Sequence, residues 1–148
     1  MNIRKIIDSD LDECSKIYLD VFSNPPWNEK WNLEIIGLRL SHFYGSKGFI
    51  GLLAESEGSV LGFVLGNTEP FYFGQVLYLR EMCVQQNQQR KGIGARLYCA
   101  LEPILIENKV ASVYLTTRTN TPASQFYHDL GFSIEKQMGF FTKELNSN

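Results

Sequence analysis

The chain has 148 residues, 44% of them hydrophobic and 20% charged, and a formal net charge of −2. That composition suits one globular domain, residues 1–148, with a substantial core. It argues against general nucleic-acid binding, and no apolar run approaches the ~20 residues of a membrane span. Cys14, Cys83 and Cys99 cannot all pair and lack metal-ligand spacing. The first residues lack the apolar stretch of a secretory signal. The expectation is a cytoplasmic protein with reduced thiols and no membrane partner.

Residues 3–7 read as a first strand. Asp8 or Ser9 can cap a helix whose apolar side is Leu11, Cys14, Ile17, Tyr18 and Val21. Pro25-Pro26 breaks it. Asn32 can cap a second helix carrying Leu33, Ile36, Leu40 and Phe43. Residues 49–54 and 60–65 read as a hairpin about Ser56-Glu57-Gly58-Ser59. Residues 76–84 form another strand, reached through a turn at 70–74. A helix follows from Ala95 to about Glu107, with a stripe of Ile93, Leu97, Leu101 and Ile104 or Leu105. Pro103 sits inside that stripe and removes the bond to the Cys99 carbonyl, so the helix is expected to break near Glu102. Residues 110–117 read as a strand. Two more are expected at 133–137 and 139–143, after a helix capped by Thr121, started by Pro122 and ended by Gly131. The order β-α-α-β-β-β-α-β-α-β-β indicates a mixed α/β fold with helices packed on a central sheet of about seven strands.

The stretch Gln89-Arg90-Lys91-Gly92-Ile93-Gly94-Ala95 lies between a strand and a helix. The first helical N–H groups have no intrahelical partners, and the helix dipole favours negative charge there. Gly92 and Gly94 leave room for a phosphate to approach the backbone, and Arg90 and Lys91 add charge. The spacing is neither a Walker-type P-loop, because Lys91 precedes Gly92, nor a dinucleotide fingerprint, because Leu97 stands where a third glycine is needed.

Downstream, Asn120 is followed by Ala123, Tyr127 and Gly131-Phe132. The Gln-x-x-Gly-x-Gly loop together with this second motif resembles the GNAT superfamily of acyl-CoA-dependent N-acyltransferases. The two motifs span roughly residues 76–136, and the element order is also that of the family. The resemblance implies an acetyl-CoA-dependent N-acetyltransferase. It implies that the loop from Gln89 to Ala95 holds the pyrophosphate. The backbone of Met82, Cys83 and Val84 would pair with the pantetheine arm, as a peptide adds to a strand edge. Asn120 would contact the cofactor or orient the site, although a plain turn asparagine explains it as well.

Direct attack by an amine on a thioester needs a base for the amine proton, a donor for the oxyanion and a proton for the thiolate. Tyr127 matches the family tyrosine that protonates the coenzyme A sulfur, and its phenol is a donor at neutral pH. Glu81 is the candidate base, since a lone carboxylate in an apolar strand needs a reason. The other reading of Glu81 is an ion pair with Arg80 or another cation. Cys83 reads as a small hydrophobe rather than a nucleophile. His128 reads as a surface residue, and His42 has no assigned role.

The acceptor is expected to be a small-molecule amine. Trp27 and Glu29, in the segment Asn24-Pro25-Pro26-Trp27-Asn28-Glu29-Lys30-Trp31, can form an amine pocket by cation–π attraction and charge. That segment resembles a Pro-Trp stretch in some aminoglycoside N-acetyltransferases. Trp31 reads more simply as a hydrophobic plug. Phe71-Tyr72-Phe73-Gly74 can wall the same pocket or make a contact in a homodimer. A protein N-terminus or lysine as acceptor, and a non-catalytic acyl-CoA sensor, are the alternative functions.

Overall fold

The computed structural model describes residues 1–146. Strand β1 is Asn2–Lys5, helix α1 Leu11–Phe22, α2 Leu33–Tyr44, β2 Phe49–Ser56, β3 Ser59–Phe71, β4 Gly74–Val84, α3 Ile93–Glu107, β5 Val110–Tyr114 and α4 Pro122–Asp129. The chain divides into two compact units, Met1–Leu115 and the residues from Thr116 onward.

The first unit holds all five strands in one sheet, in the order β1-β2-β3-β4-β5. Neighbours are antiparallel except β4 and β5, which are parallel. A parallel pair needs a crossover, and α3 supplies it. The β2–β3 hairpin closes through Glu57 and Gly58 at φ 50° and 80°, with Ser56 opposite Ser59. Two left-handed residues between paired strands make the turn that matches strand twist.

Leu53, Phe63, Leu65 and Cys83 share one core cluster with Cys14, Ile17, Tyr18 and Val21 of α1 and Ile36, Leu40 and Phe43 of α2. The alternate strand residues, including Leu52 and Val64, face the other way. There α3 packs through Leu97, Leu101 and Leu105, which are almost fully buried. The unit therefore has helices on both faces of its sheet.

Several expectations change. Neither Asp8 nor Ser9 caps α1: a 3-10 turn over Asp8–Asp10 precedes it, and the Asp10 carboxylate reaches back to the Ile7 N–H at 2.8 Å without capping the helix. Asn32 caps α2 as expected, accepting from the Ile35 N–H at 2.9 Å, but Leu33 is 48% exposed. Helix α3 runs unbroken past Pro103. Pro103 and Cys99 lie on its solvent face, so the unpaired carbonyl meets water while the buried leucines hold both halves on the sheet.

The second unit contains α4. Thr121 caps it, accepting from the Ser124 N–H at 3.2 Å, with Pro122 in its first turn. Gly131 at φ 97° ends it, and the Phe132 N–H reaches the Tyr127 carbonyl at 3.0 Å, a Schellman closure. The strands expected at 133–137 and 139–143 do not form. Lys136 and Gln137 make a turn, and Met138, Phe140 and Phe141 are 76%, 79% and 93% exposed. An alternating pattern makes a strand only where another strand bonds to it, and among the described residues none does. The sheet therefore has five strands rather than about seven.

Arg4 grips Asp10 through two bonds of 2.9 Å. That hydrogen-bonded guanidinium holds the Asp10 carboxyl below its ordinary 3.8. A depressed carboxylate stabilises the fold above its unfolded pKa and loses that contribution as pH falls. Asp10→Asn should therefore lower stability at pH 7 by about 1–3 kcal/mol. Urea unfolding of both proteins should show the gap closing as pH is taken below 3.8.

Candidate active site

Strand β4 carries an irregularity against β3. Leu65 pairs with Glu81, but Gly66 pairs with Leu79, leaving Arg80 as an extra residue. Such a bulge re-aims the side chains beyond it. Before it, Tyr78 and Arg80 face α2, where the Arg80 guanidinium lies 5.3 Å from the Phe43 ring. After it, Glu81 and Cys83 stand opposite Leu65 and Phe63 and face the same helices. Consecutive residues Arg80 and Glu81 thus share one face of the sheet. Gly66 permits this, because a Cβ there would collide with the Tyr78 carbonyl.

Glu81 is 5% exposed. Its Oε1 accepts Arg39 Nε at 2.8 Å and the Tyr18 hydroxyl at 3.4 Å. Burial pushes its carboxyl up to about 7 and Glu29 adds a little, against the opposing pull of Arg39 and Tyr18. Burial also raises Tyr18, which stays a neutral donor. The ion pair sequence reasoning offered for Glu81 is real, but its partner is Arg39, not Arg80. The Arg39 guanidinium is held over Phe43 at 4.8 Å and over Trp31 at 5.7 Å. Cys83 is buried and its thiol is raised well above the usual range by burial, consistent with an inert hydrophobe.

The edge of β4 towards β5 is paired only along Gln75 to Tyr78. Among the described strands, none pairs with residues 79–84 on that side. Their backbone groups, including those of Met82, Cys83 and Val84, therefore have no strand partner on that side. Gln89 Nε2 donates to the Val84 carbonyl at 3.0 Å, tying the loop to the end of β4. Arg90 has φ 63° and Gly92 φ 80°. A Cβ at Gly92 would meet nothing, but the left-handed backbone would strain any other residue. Gly92 is the N-cap of α3 and supplies no side-chain cap. The first helical bond is from Arg96 N–H to the Gly92 carbonyl at 3.0 Å. The N–H groups of Ile93, Gly94 and Ala95 precede it, with no acidic residue in that turn. Arg90 and Lys91 are exposed on the rim. These are the elements of an anion cradle.

In the second unit, Tyr127 is half-buried on α4, with its ring 5.1 Å from Phe126 and 5.5 Å from Phe132, both edge-on. Asn120 is exposed and left-handed, at φ 58°, just before the helix cap. His128 is a surface residue whose Nδ1 lies 3.1 Å from the Phe132 carbonyl oxygen.

The Pro-Trp segment divides. Trp27 packs on Phe22 at 5.4 Å. Trp31 packs edge-on against Tyr18 at 5.0 Å, and its indole N–H donates to Glu29 at 2.8 Å. It is Trp31, the residue read as a plug, that shares neighbours with Glu81. The hairpin tip of Phe71, Tyr72 and Phe73 is exposed and self-associated, its rings about 5 Å apart. Sequence reasoning missed Arg39, Tyr18 and Arg80. Tyr18 was legible only as one more apolar residue of a helix face. Arg39 left a weak trace, a cation between Ile36, Leu40 and Phe43 on the buried stripe of α2.

The profile of the Acetyltransferase (GNAT) family matches residues 11–132. No curated protein sequence matches the chain. Among solved structures, a possible acetyltransferase from Clostridium difficile 630 is similar at TM-score 0.83 and 16% identity, covering 99% of this chain and 98% of that one. An aminoglycoside acetyltransferase from an uncultured soil metagenomic sample, in complex with sisomicin, has TM-score 0.76 and 20% identity, covering 98% and 96%. A transcriptional regulator from Bacillus halodurans C-125 has TM-score 0.77 and 20% identity, covering 97% and 99%. Neighbours so distant in sequence share the fold and leave the acceptor open. The family match covers most of the chain and both of its motifs, and the chain belongs to the GNAT family of acetyltransferases.

Proposed function

We propose that the protein transfers an acetyl group from acetyl-CoA to the primary amine of a small molecule by direct attack, within one domain of residues 1–148. The observation that carries this reading is a buried carboxylate with a pKa near 7, on the strand whose open edge leads to an uncapped helix N-terminus. A base poised near the working pH is what amine activation requires.

Acetyl-CoA would supply the thioester acyl group. The N–H groups of the first turn of α3, with Arg90 and Lys91, would hold its pyrophosphate. The free edge of residues 82–84 would hold the pantetheine amides as a short added strand. Glu81 takes the amine proton. Both of its hydrogen bonds converge on Oε1, so Oε2 is the oxygen assigned to that proton. Tyr127 delivers a proton to the departing thiolate, and Asn120 helps to orient the site. Trp27, Trp31 and Glu29 border the acceptor. An aminoglycoside belongs in the first panel because one structural neighbour acts on that class. Free thiols on all three cysteines suit a cytoplasmic setting.

Coenzyme A thiol release should appear with acetyl-CoA and at least one class among aminoglycosides, polyamines, amino acids and short peptides. Tight acetyl-CoA binding without release for any of them would instead support a sensor.

The acid limb of kcat/KM should titrate near 7. Glu81→Gln should abolish that limb and cost about 10²–10⁴-fold in rate. An unmoved limb would remove Glu81 from the mechanism. Tyr127→Phe should lower kcat by at least about 10²-fold, with the Kd for acetyl-CoA nearly unchanged by calorimetry.

Arg39→Met removes the cation that favours the Glu81 carboxylate. The Glu81 pKa should rise further, by about 1–3 units, and the acid limb should move to higher pH with it. Carboxyl-carbon NMR titration would read the shift directly.

A further inference from the structure

We infer that Arg80 is an anion anchor, and that the acceptor is an amine carrying a carboxylate or phosphate which Arg80 binds while Glu81 receives the amine proton. This narrows the acceptor of the proposed acyl transfer and rests on that reading.

The argument begins with what holds Arg80. Its guanidinium lies 3.8 Å from the centroid of the Tyr78 ring and 5.3 Å from that of Phe43. Its Nε donates to the Asn67 side-chain oxygen at 2.9 Å. Those contacts fix the plane and the direction of the fork. The terminal Nη pair is left as the donor set, and that pair matches a carboxylate or phosphate edge.

Charge bookkeeping then sets Arg80 apart. Arg4 pairs with Asp10 and Glu55, and Arg39 pairs with Glu81. Arg80 is half-buried, yet among the described residues no carboxylate lies within ion-pair distance of it. Glu69, two residues beyond Asn67 on β3, is engaged by the Tyr114 hydroxyl at 3.1 Å, and Tyr114 in turn packs on Tyr78 at 4.5 Å. A cation partly withdrawn from water without a counter-ion is costly unless something supplies one. Surface guanidiniums are usually mobile, whereas this one is oriented at the rim of the face that holds the base.

Position gives the anchor its meaning. The bulge puts Arg80 and Glu81 side by side on one face, and Phe43 touches both the Arg80 and Arg39 guanidiniums. Arg39 is occupied by Glu81, so Arg80 is the cation left for a ligand. An amine at Glu81 and an anion at Arg80 describe a compact zwitterion. A polycation has nothing to offer Arg80 and would be repelled by it.

The test pairs anionic acceptors with neutral counterparts: methionine with methioninamide, and phosphoethanolamine with ethanolamine. Wild-type kcat/KM should favour the anionic member of one pair by about 10- to 100-fold, and which pair responds separates carboxylate from phosphate. Arg80→Gln should bring that ratio close to one, and Arg80→Lys should keep part of it. The acetyl-CoA Kd of each variant verifies folding. Equal turnover of both members in wild type, or an unchanged ratio in Arg80→Gln, would overturn the anchor. Should wild type turn over no amine, the acyl-transfer reading fails by itself. Calorimetric titration of the same pairs into the protein with coenzyme A then decides the anchor. A preference for the anionic member that Arg80→Gln abolishes supports it, and equal or absent binding refutes it.

Discussion

The site depends on one extra residue in β4. A regular strand sends neighbouring side chains to opposite faces, so Arg80 and Glu81 would be separated by the thickness of the sheet. The bulge opposite Leu65 and Gly66 cancels that alternation once. Below it the apolar Leu77 and Leu79 face α3, while Tyr78 and Arg80 face α2. Above it Glu81 and Cys83 turn towards α1 and α2. The absence of a side chain at Gly66 leaves room for the Tyr78 carbonyl. A glycine in β3, well before β4 in sequence, thus decides which way the Glu81 carboxylate points.

The two halves of the proposed chemistry draw on different parts of the chain. The thioester side is built from backbone: an uncapped helix turn and an open strand edge. Both follow from where β5 stops pairing and where α3 begins, so they tolerate wide change in side chains. The acceptor side is built from side chains on α1, α2 and β4, meeting at Glu81 and Phe43. That division explains how a fold can be shared at about 20% identity while the acceptor is left to the individual sequence.

The backbone half was readable in the sequence. Gly92 and Gly94 between a strand and a helix, and Thr121-Pro122 and Gly131 around α4, are local signals with local causes. The side-chain half was not. Arg39 reaches Glu81 across 42 positions and Tyr18 across 63, and no periodicity encodes such meetings. Glu81 itself was conspicuous as a charge in an apolar strand, but its partner could not be named. The errors share a cause. The helix break at Glu102 and the two strands after Ser133 came from local rules, proline geometry and alternation. Tertiary context overrode both, through the buried leucines of α3 in one case and the lack of a pairing strand in the other.

Placing a carboxylate in the core has a thermodynamic side. The Glu81 carboxyl sits near 7 in the fold, against an ordinary 4.5. With its folded pKa raised, the group favours the native state while protonated. It begins to oppose folding as pH climbs above 4.5, and the opposition is complete above about 7, at a few kcal/mol. The ionised form, which in the proposed reaction would take the acceptor's proton, is therefore the form that strains the fold. A leucine at this position would make a better core and remove the proposed base. Selection for a durable protein and selection for turnover meet at one residue and pull it in opposite directions.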